Sequence, residues 1–197
     1  MQAKTCMSPF LFVVGKMEKN YLYVDFEEHL LAIRSEPTML AVELTRPANT
    51  TAYTPGDVIS DNAAASTLLH FADFFRTSGG TGYLMRASLT TNKKSITSRV
   101  RVHLFGALDP TVAADNAPYR EIYADAPKRL GYFDLPAMST AVDTTNSDMS
   151  RAMNNELRHF VKASAGSRSL YVLLETLDAF TPDSGQRFLL VLAIENR

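Results

Sequence analysis

The 197-residue chain has one cysteine, Cys6, and no tryptophan. A single thiol closes no internal disulfide, and it leaves a cysteine-based zinc site without ligands. Cys6 reads as a small packing residue rather than a nucleophile, since no base is visible beside it. The four histidines, His29, His70, His103 and His159, lie far apart with no His-x-x-x-His pair. Glu27-Glu28-His29 lacks a second ligand and reads as an exposed face. No apolar run reaches about 18 residues, so no helical membrane span is expected. An excess of one charge is also missing: Lys and Arg total 20, Asp and Glu 21, for a net charge of -1. Such a balance gives no electrostatic reason to expect nucleic acid as a partner.

Catalytic signatures are equally scarce. There is no Gly-x-Ser-x-Gly elbow for a hydrolase. Ser78-Gly79-Gly80-Thr81-Gly82 lacks the Gly-Lys-Ser/Thr ending of a phosphate loop, and it runs into a strand pattern rather than a helix. Asp109, Asp115, Asp125 and Asp134 do not keep the spacing of a calcium loop. Lys93, Lys94, Arg99 and Arg101 form a modest basic patch without interleaved aromatics, which reads as a solvated strand face. His103, between Arg101 and Phe105, reads as a solvated or interface side chain on that face. No enzyme activity, metal or cofactor is expected.

What the chain does have is a globular composition, 46% hydrophobic and 21% charged, enough for one sizeable core. Its periodicity is mostly 2, the period of strands. In 99–105, Val100, Val102 and Leu104 alternate with Arg99, Arg101 and His103. In 83–90, Tyr83, Met85, Ala87 and Leu89 alternate with Leu84, Arg86, Ser88 and Thr90. These two segments read as neighbouring half-buried strands. Segments 170–174 and 188–194 are apolar on both faces and read as central strands. Thr181-Pro182-Asp183-Ser184-Gly185 between them suits a hairpin with a long loop. Shorter strand candidates are 21–26, 39–45, 56–60 and 130–135. Many short strands with regular turns point to an antiparallel β-sandwich rather than to βαβ units.

Two segments carry a helical signal. Residues 25–33 open with Asp25 and place Glu28 three positions on, a capping-box pattern. Met149, Met153, Leu157, Phe160 and Val161 share one helical face with Ser147 or Asp148 as cap, which favours a helix over a strand near 157–161. Residues 137–150 read as a long surface loop. Near the start, Phe10, Leu11, Phe12, Val13 and Val14 form an apolar stretch too short for a signal peptide, and therefore a first strand or an arm.

One segment is more specific than any catalytic motif. Residues 44–59, Leu-Thr-Arg-Pro-Ala-Asn-Thr-Thr-Ala-Tyr-Thr-Pro-Gly-Asp-Val-Ile, resemble a signature of tailed-phage structural proteins. Matches continue in order through Val102-His103-Leu104-Phe105, Asp115-Asn116-Ala117-Pro118-Tyr119, Leu130-Gly131-Tyr132-Phe133-Asp134, Leu170-Tyr171-Val172-Leu173 and Ala179-Phe180-Thr181-Pro182-Asp183-Ser184. The chain thus resembles the capsid decoration (cement) proteins of tailed phages over roughly 40–197.

The resemblance implies an all-β, jelly-roll-like sandwich over 41–197, with an N-terminal extension over 1–40 and one or two short helices. It also implies a virion structural protein, made in the host cytoplasm and placed on the outer surface of the capsid. Its partners would be the major capsid protein and itself, as a homotrimer or homodimer, and neither nucleic acid nor membrane. Phe10, Leu11, Phe12, Val13 and Val14 are then candidate capsid or subunit contacts, because an extended arm can add a strand to a neighbour's sheet edge. Two other readings use the same residues. Jelly rolls also host carbohydrate-binding or carbohydrate-cleaving sites, which the eight tyrosines could serve. A head or tail fibre component shares the virion setting, although neither a repeat nor a coiled-coil stalk is present.

Overall fold

The computed structural model describes residues 37–65, 67–108, 110–140 and 145–197. They form β1 (Thr38–Thr45), β2 (Val58–Ile59), β3 (Leu69–Phe71), β4 (Thr81–Thr91) and β5 (Val100–Phe105). A short 3-10 helix (Tyr123–Lys128) follows, then β6 (Arg129–Leu135), β7 (Ser139–Thr140), β8 (Ser150–Asn154), β9 (His159–Lys162), β10 (Leu170–Thr176) and β11 (Arg187–Asn196). The first sheet runs β1-β11-β4-β8-β7, with β9 also on β4; the second runs β2-β10-β5-β6, with β3 also on β10. Every pairing is antiparallel.

β2 and β3 share one position beside β10, and β8 and β9 share one position beside β4. Two broken strands and an extra edge strand therefore decorate an eight-position plan. Numbered along the chain, those positions run 1-8-3-6 in one sheet and 2-7-4-5 in the other. This is the double Greek key of a jelly roll.

Strand alternation builds the core. On β11, Phe188, Leu190, Leu192 and Ile194 point inward and are essentially inaccessible. Their partners Leu44, Val42 and Leu40 on β1, and Leu89, Ala87 and Leu84 on β4, face the same way. From the opposite sheet, Val100, Val102 and Leu104 meet Leu170, Val172 and Leu174 in the same cluster. Phe71, Phe74 and Phe75 close one end with edge-to-face ring contacts.

The second sheet is covered on both faces. Every residue of β10 is buried. Its outer side chains Tyr171 and Leu173, with Val58 and Phe105, form a satellite cluster. Val112, Ala113 and Tyr119, from the segment between β5 and the 3-10 helix, pack over that cluster. The segment also bonds to the chain around β2: the Asn116 amide donates to the Val58 carbonyl and the Val58 amide to the Ala117 carbonyl, both at 2.9 Å. Gly131, at φ 117°, sits at a bulge in β6, where a Cβ would fall 2.8 Å from the His159 ring. Only glycine satisfies both demands there.

Several expectations need correction. Segments 83–90 and 99–105 are strands, but β4 and β5 belong to different sheets. Likewise β10 and β11 are central strands of opposite sheets, so 181–185 crosses the sandwich instead of closing a hairpin. Residues 149–161 hold no helix: β8 and β9 lie there, each paired to β4. Their apolar side chains divide between faces, with Val161 wholly buried and Phe160 51% exposed. Ser139 and Thr140, within the expected 137–150 loop, add a short edge strand. The expected strand at 21–26, the helix at 25–33 and the arm at Phe10, Leu11, Phe12, Val13 and Val14 lie outside the described residues.

Leu190 and Leu189 are adjacent on β11, at 0% and 37% exposure. Leu190→Asp places an unpaired carboxylate between the sheets and is expected to prevent folding. Leu189→Asp is expected to fold. Thermal melts followed by circular dichroism test both, and an unchanged midpoint for Leu190→Asp refutes the assignment of faces.

Candidate functional site

The signature segment leaves β1 and turns back to β2, and its polar residues fold inward. Arg46 is 2% exposed and Asp115 7%. Arg46 Nη2 donates to Asp115 Oδ2 at 2.9 Å. Arg46 Nε donates to the Tyr53 hydroxyl, which donates onward to Asp115 Oδ1 at 2.6 Å. The Ser60 amide gives that same Oδ1 a second donor at 2.9 Å. Burial, reinforced by the Asp115 carboxylate, pushes the Tyr53 phenol far above its ordinary pKa and keeps it a donor. Tyr53 also stacks on Phe180, with centroids 4.8 Å apart.

Each half of the signature has a local task. Pro47 and Pro55 fix φ where the chain must turn. Thr54 donates its amide and its hydroxyl to Asp57 Oδ2, at 2.6 and 2.9 Å, which ties the turn before β2. Gly56 takes φ 93° at its apex. The Gly56 amide donates to the Thr176 carbonyl at 2.7 Å and the Thr176 amide to the Asp57 carbonyl at 2.9 Å, so the turn is moored to β10. All of this satisfies buried groups. The sequence located the segment; it did not reveal that Asp115, one of the four scattered aspartates, is its partner.

A second polar cluster lies on the outer side of the second sheet. His103 is 2% exposed, which corrects its reading as a solvated side chain. Its Nε2 lies 2.7 Å from Glu175 Oε2 and its Nδ1 lies 3.3 Å from Arg129 Nη2. A guanidinium can only donate, so Nδ1 accepts, and the ring proton sits on Nε2 and points to Glu175. The Tyr119 ring covers the imidazole at a centroid distance of 4.1 Å. Burial first, then the positive charges of Arg129 and Arg101, lower the His103 pKa to about 3. Burial raises that of Glu175. Neutral His103 is therefore held in one tautomer. It has no nucleophile beside it, and Tyr119 seals it from solvent.

The remaining candidates separate. Arg99 makes two bonds to Asp178, at 2.9 and 2.8 Å, and Arg101 two to Asp134, at 2.7 and 3.0 Å. Lys93 reaches Asp183 at 2.7 Å. The modest basic patch is thus largely neutralised in place. Asp125 is bound by Lys128 and by the Thr111 amide. Among the described residues, no group of three His, Cys, Asp or Glu side chains comes together as a metal site would require.

Two outcomes follow. Removing Asp115 as Asp115→Ala strands a buried guanidinium, and a loss of about 3–5 kcal/mol is expected in denaturant unfolding. A loss below about 1 kcal/mol refutes a structural role for the buried Arg46–Asp115 pair. For His103, the unfolded side chain takes up a proton near pH 6.5 and the folded one only near pH 3. Stability is therefore complete above pH 6.5 and falls as pH drops, by up to about 2 kcal/mol at pH 5. Glu175, whose folded pKa is raised, acts with the opposite sign and trims the loss. His103→Gln, which can still donate and accept, is expected to flatten the slope between pH 7 and 5. An unchanged slope refutes the assignment.

Comparison with known proteins adds little. No family model matches the chain, and no curated protein matches it. Among solved structures, a chain of the Israeli acute paralysis virus full particle heated to 63 degrees is 13% identical, with TM-score 0.34 over 98% of this chain and 78% of that one. A chain of Mud Crab Dicistrovirus is 11% identical, with TM-score 0.19 over 93% and 94%. Superpositions this loose carry no argument about function, and the jelly-roll assignment rests on strand order.

Proposed function

We propose that this protein is a virion structural protein that binds the lattice of a phage capsid shell, in the manner of a decoration or cement protein. The observation that carries the reading is where the resemblance falls on the fold. The segment 44–59 and the segment 115–119, separate in sequence, meet at the Arg46–Asp115 pair of a jelly roll. The fold is one that capsid proteins use, among others. Rigid strands with satisfied turns suit a subunit that must present one shape many times.

The partners are the major capsid protein and further copies of this chain. β1 supplies the receiving edge: eight residues, paired only to β11 among the described strands, without bulge, lysine or internal proline. Edges of that kind accept an added strand. Phe10, Leu11, Phe12, Val13 and Val14 are the donor segment in this reading.

Co-sedimentation with purified empty heads tests it. Full-length protein is expected to pellet with heads at saturable stoichiometry. Protein lacking residues 1–15 is expected to keep its circular dichroism spectrum and to stay in the supernatant. Failure of the full chain to bind refutes the capsid reading. Binding by the truncated chain at full occupancy refutes the arm alone.

A further inference from the structure

Strand register sorts the charges of the first sheet in a way that the net charge of -1 conceals. Outer positions of β4, β8, β9 and β11 place Arg86, Arg151, Lys162 and Arg187 on one face. Arg158 and Arg197 join them through Tyr83, their guanidinium carbons 5.8 and 4.8 Å from its ring centroid. Among the described residues, the carboxylate side chains on this face are Glu43 and Glu195, and Glu43 stands 3.6 Å from Arg187. Glu156, in the β8–β9 turn, borders the cleft beside Asp134 instead. Arg86 bonds to the Met153 sulfur and Arg151 to the Thr90 hydroxyl, not to acids. No described carboxylate pairs with Arg86, Arg151, Arg158, Lys162 or Arg197.

The outer side of the second sheet shows the opposite habit. There Arg101 has Asp134, Arg129 has Glu121, and Lys128 has Asp125. The cationic face also carries a flat aromatic. Phe160 is 51% exposed and makes an edge-to-face contact with Tyr83 at 5.6 Å. Unpaired cations around an exposed ring on a sheet suit a phosphate backbone with unstacked bases.

We propose that this face binds single-stranded nucleic acid, with Arg86, Arg151, Arg158 and Lys162 on phosphates and Phe160 stacking a base. From Tyr83 to Thr90 the face spans roughly 20 Å, room for about four nucleotides. The expectation of no nucleic-acid partner came from net charge, which averages over faces. The proposal does not rest on the capsid reading.

Fluorescence anisotropy of the full chain with a labelled oligo(dT) of about 20 nucleotides tests it. Wild type is expected to bind at 50 mM salt and to weaken about fiftyfold by 200 mM, as about four phosphate contacts require. Arg151→Glu with Lys162→Glu is expected to lose at least tenfold at fixed salt with an unchanged melting midpoint. Phe160→Ala is expected to lose about tenfold with no change in salt slope. Arg120→Glu, an exposed cation outside the face, is the charge control and is expected to change binding less than twofold. Absent wild-type binding, or equal losses from Arg120→Glu and from the face variants, overturns the proposal. So does stronger retention on anionic lipid vesicles with no dependence on Phe160, which would make the face a lipid surface. Head binding in the earlier assay is scored separately, so either result can fail alone.

Discussion

The fold turns on one ion pair sealed from water. Arg46 and Asp115 are 69 positions apart, and each is nearly inaccessible. Burying two charges costs several kcal/mol per ion unless every donor and lone pair finds a partner. Tyr53, Ser60 and Asn49 supply those partners, and they stand where they do because Pro47, Pro55 and Gly56 bend the chain around the pair. The pair locks the end of β1 to the segment that roofs the second sheet. With the roof in place, Tyr171, Leu173 and Phe105 are dry and β10 is covered on both faces. Without the pair, that roof would keep its main-chain bonds and the packing of Val112, Ala113 and Tyr119 but lose its tie to the end of β1.

Much of this was legible in the sequence, and what was missed has a common cause. Period 2 assigns a side chain to one face of its own strand. It says nothing about which sheet the strand joins. Hence the pattern of 83–90 and 99–105 shows two strands but not that they belong to different sheets, and that of β10 and β11 shows two central strands but not that they lie in opposite sheets. In a jelly roll most successive strands cross between sheets, β5 and β6 being an exception here, so adjacency in sequence misleads. The 149–161 segment failed differently. Met149, Met153, Leu157 and Phe160 fall at helical spacing by coincidence, because a turn between β8 and β9 breaks the strand phase. β4, long enough to pair with both halves, overrides the local signal.

The polar sites show the same limit. The signature was visible as a specific string, and its turn residues predicted its bends. Its charge partner was one aspartate among several without distinctive spacing. His103 alternates in phase with Arg101, which suggested solvent. The roof segment with Tyr119 reverses that, and only tertiary packing could show it. Charge balance has the same limit. Counting 20 cations against 21 anions is correct for the chain and uninformative for a face.

That sorting of charge has a further consequence. A protein near neutrality projects little field beyond the Debye length, about 8 Å at physiological salt. The cationic sheet would therefore do little to steer nucleic acid from a distance and would act on contact. A single copy with a handful of phosphate contacts binds modestly at that salt. Copies held side by side in a lattice multiply such contacts, because each bound nucleotide segment raises the effective concentration of the next. A weak face and a repeating shell would thus be complementary: the lattice would supply the valency, and the balanced net charge would let the copies crowd without mutual repulsion.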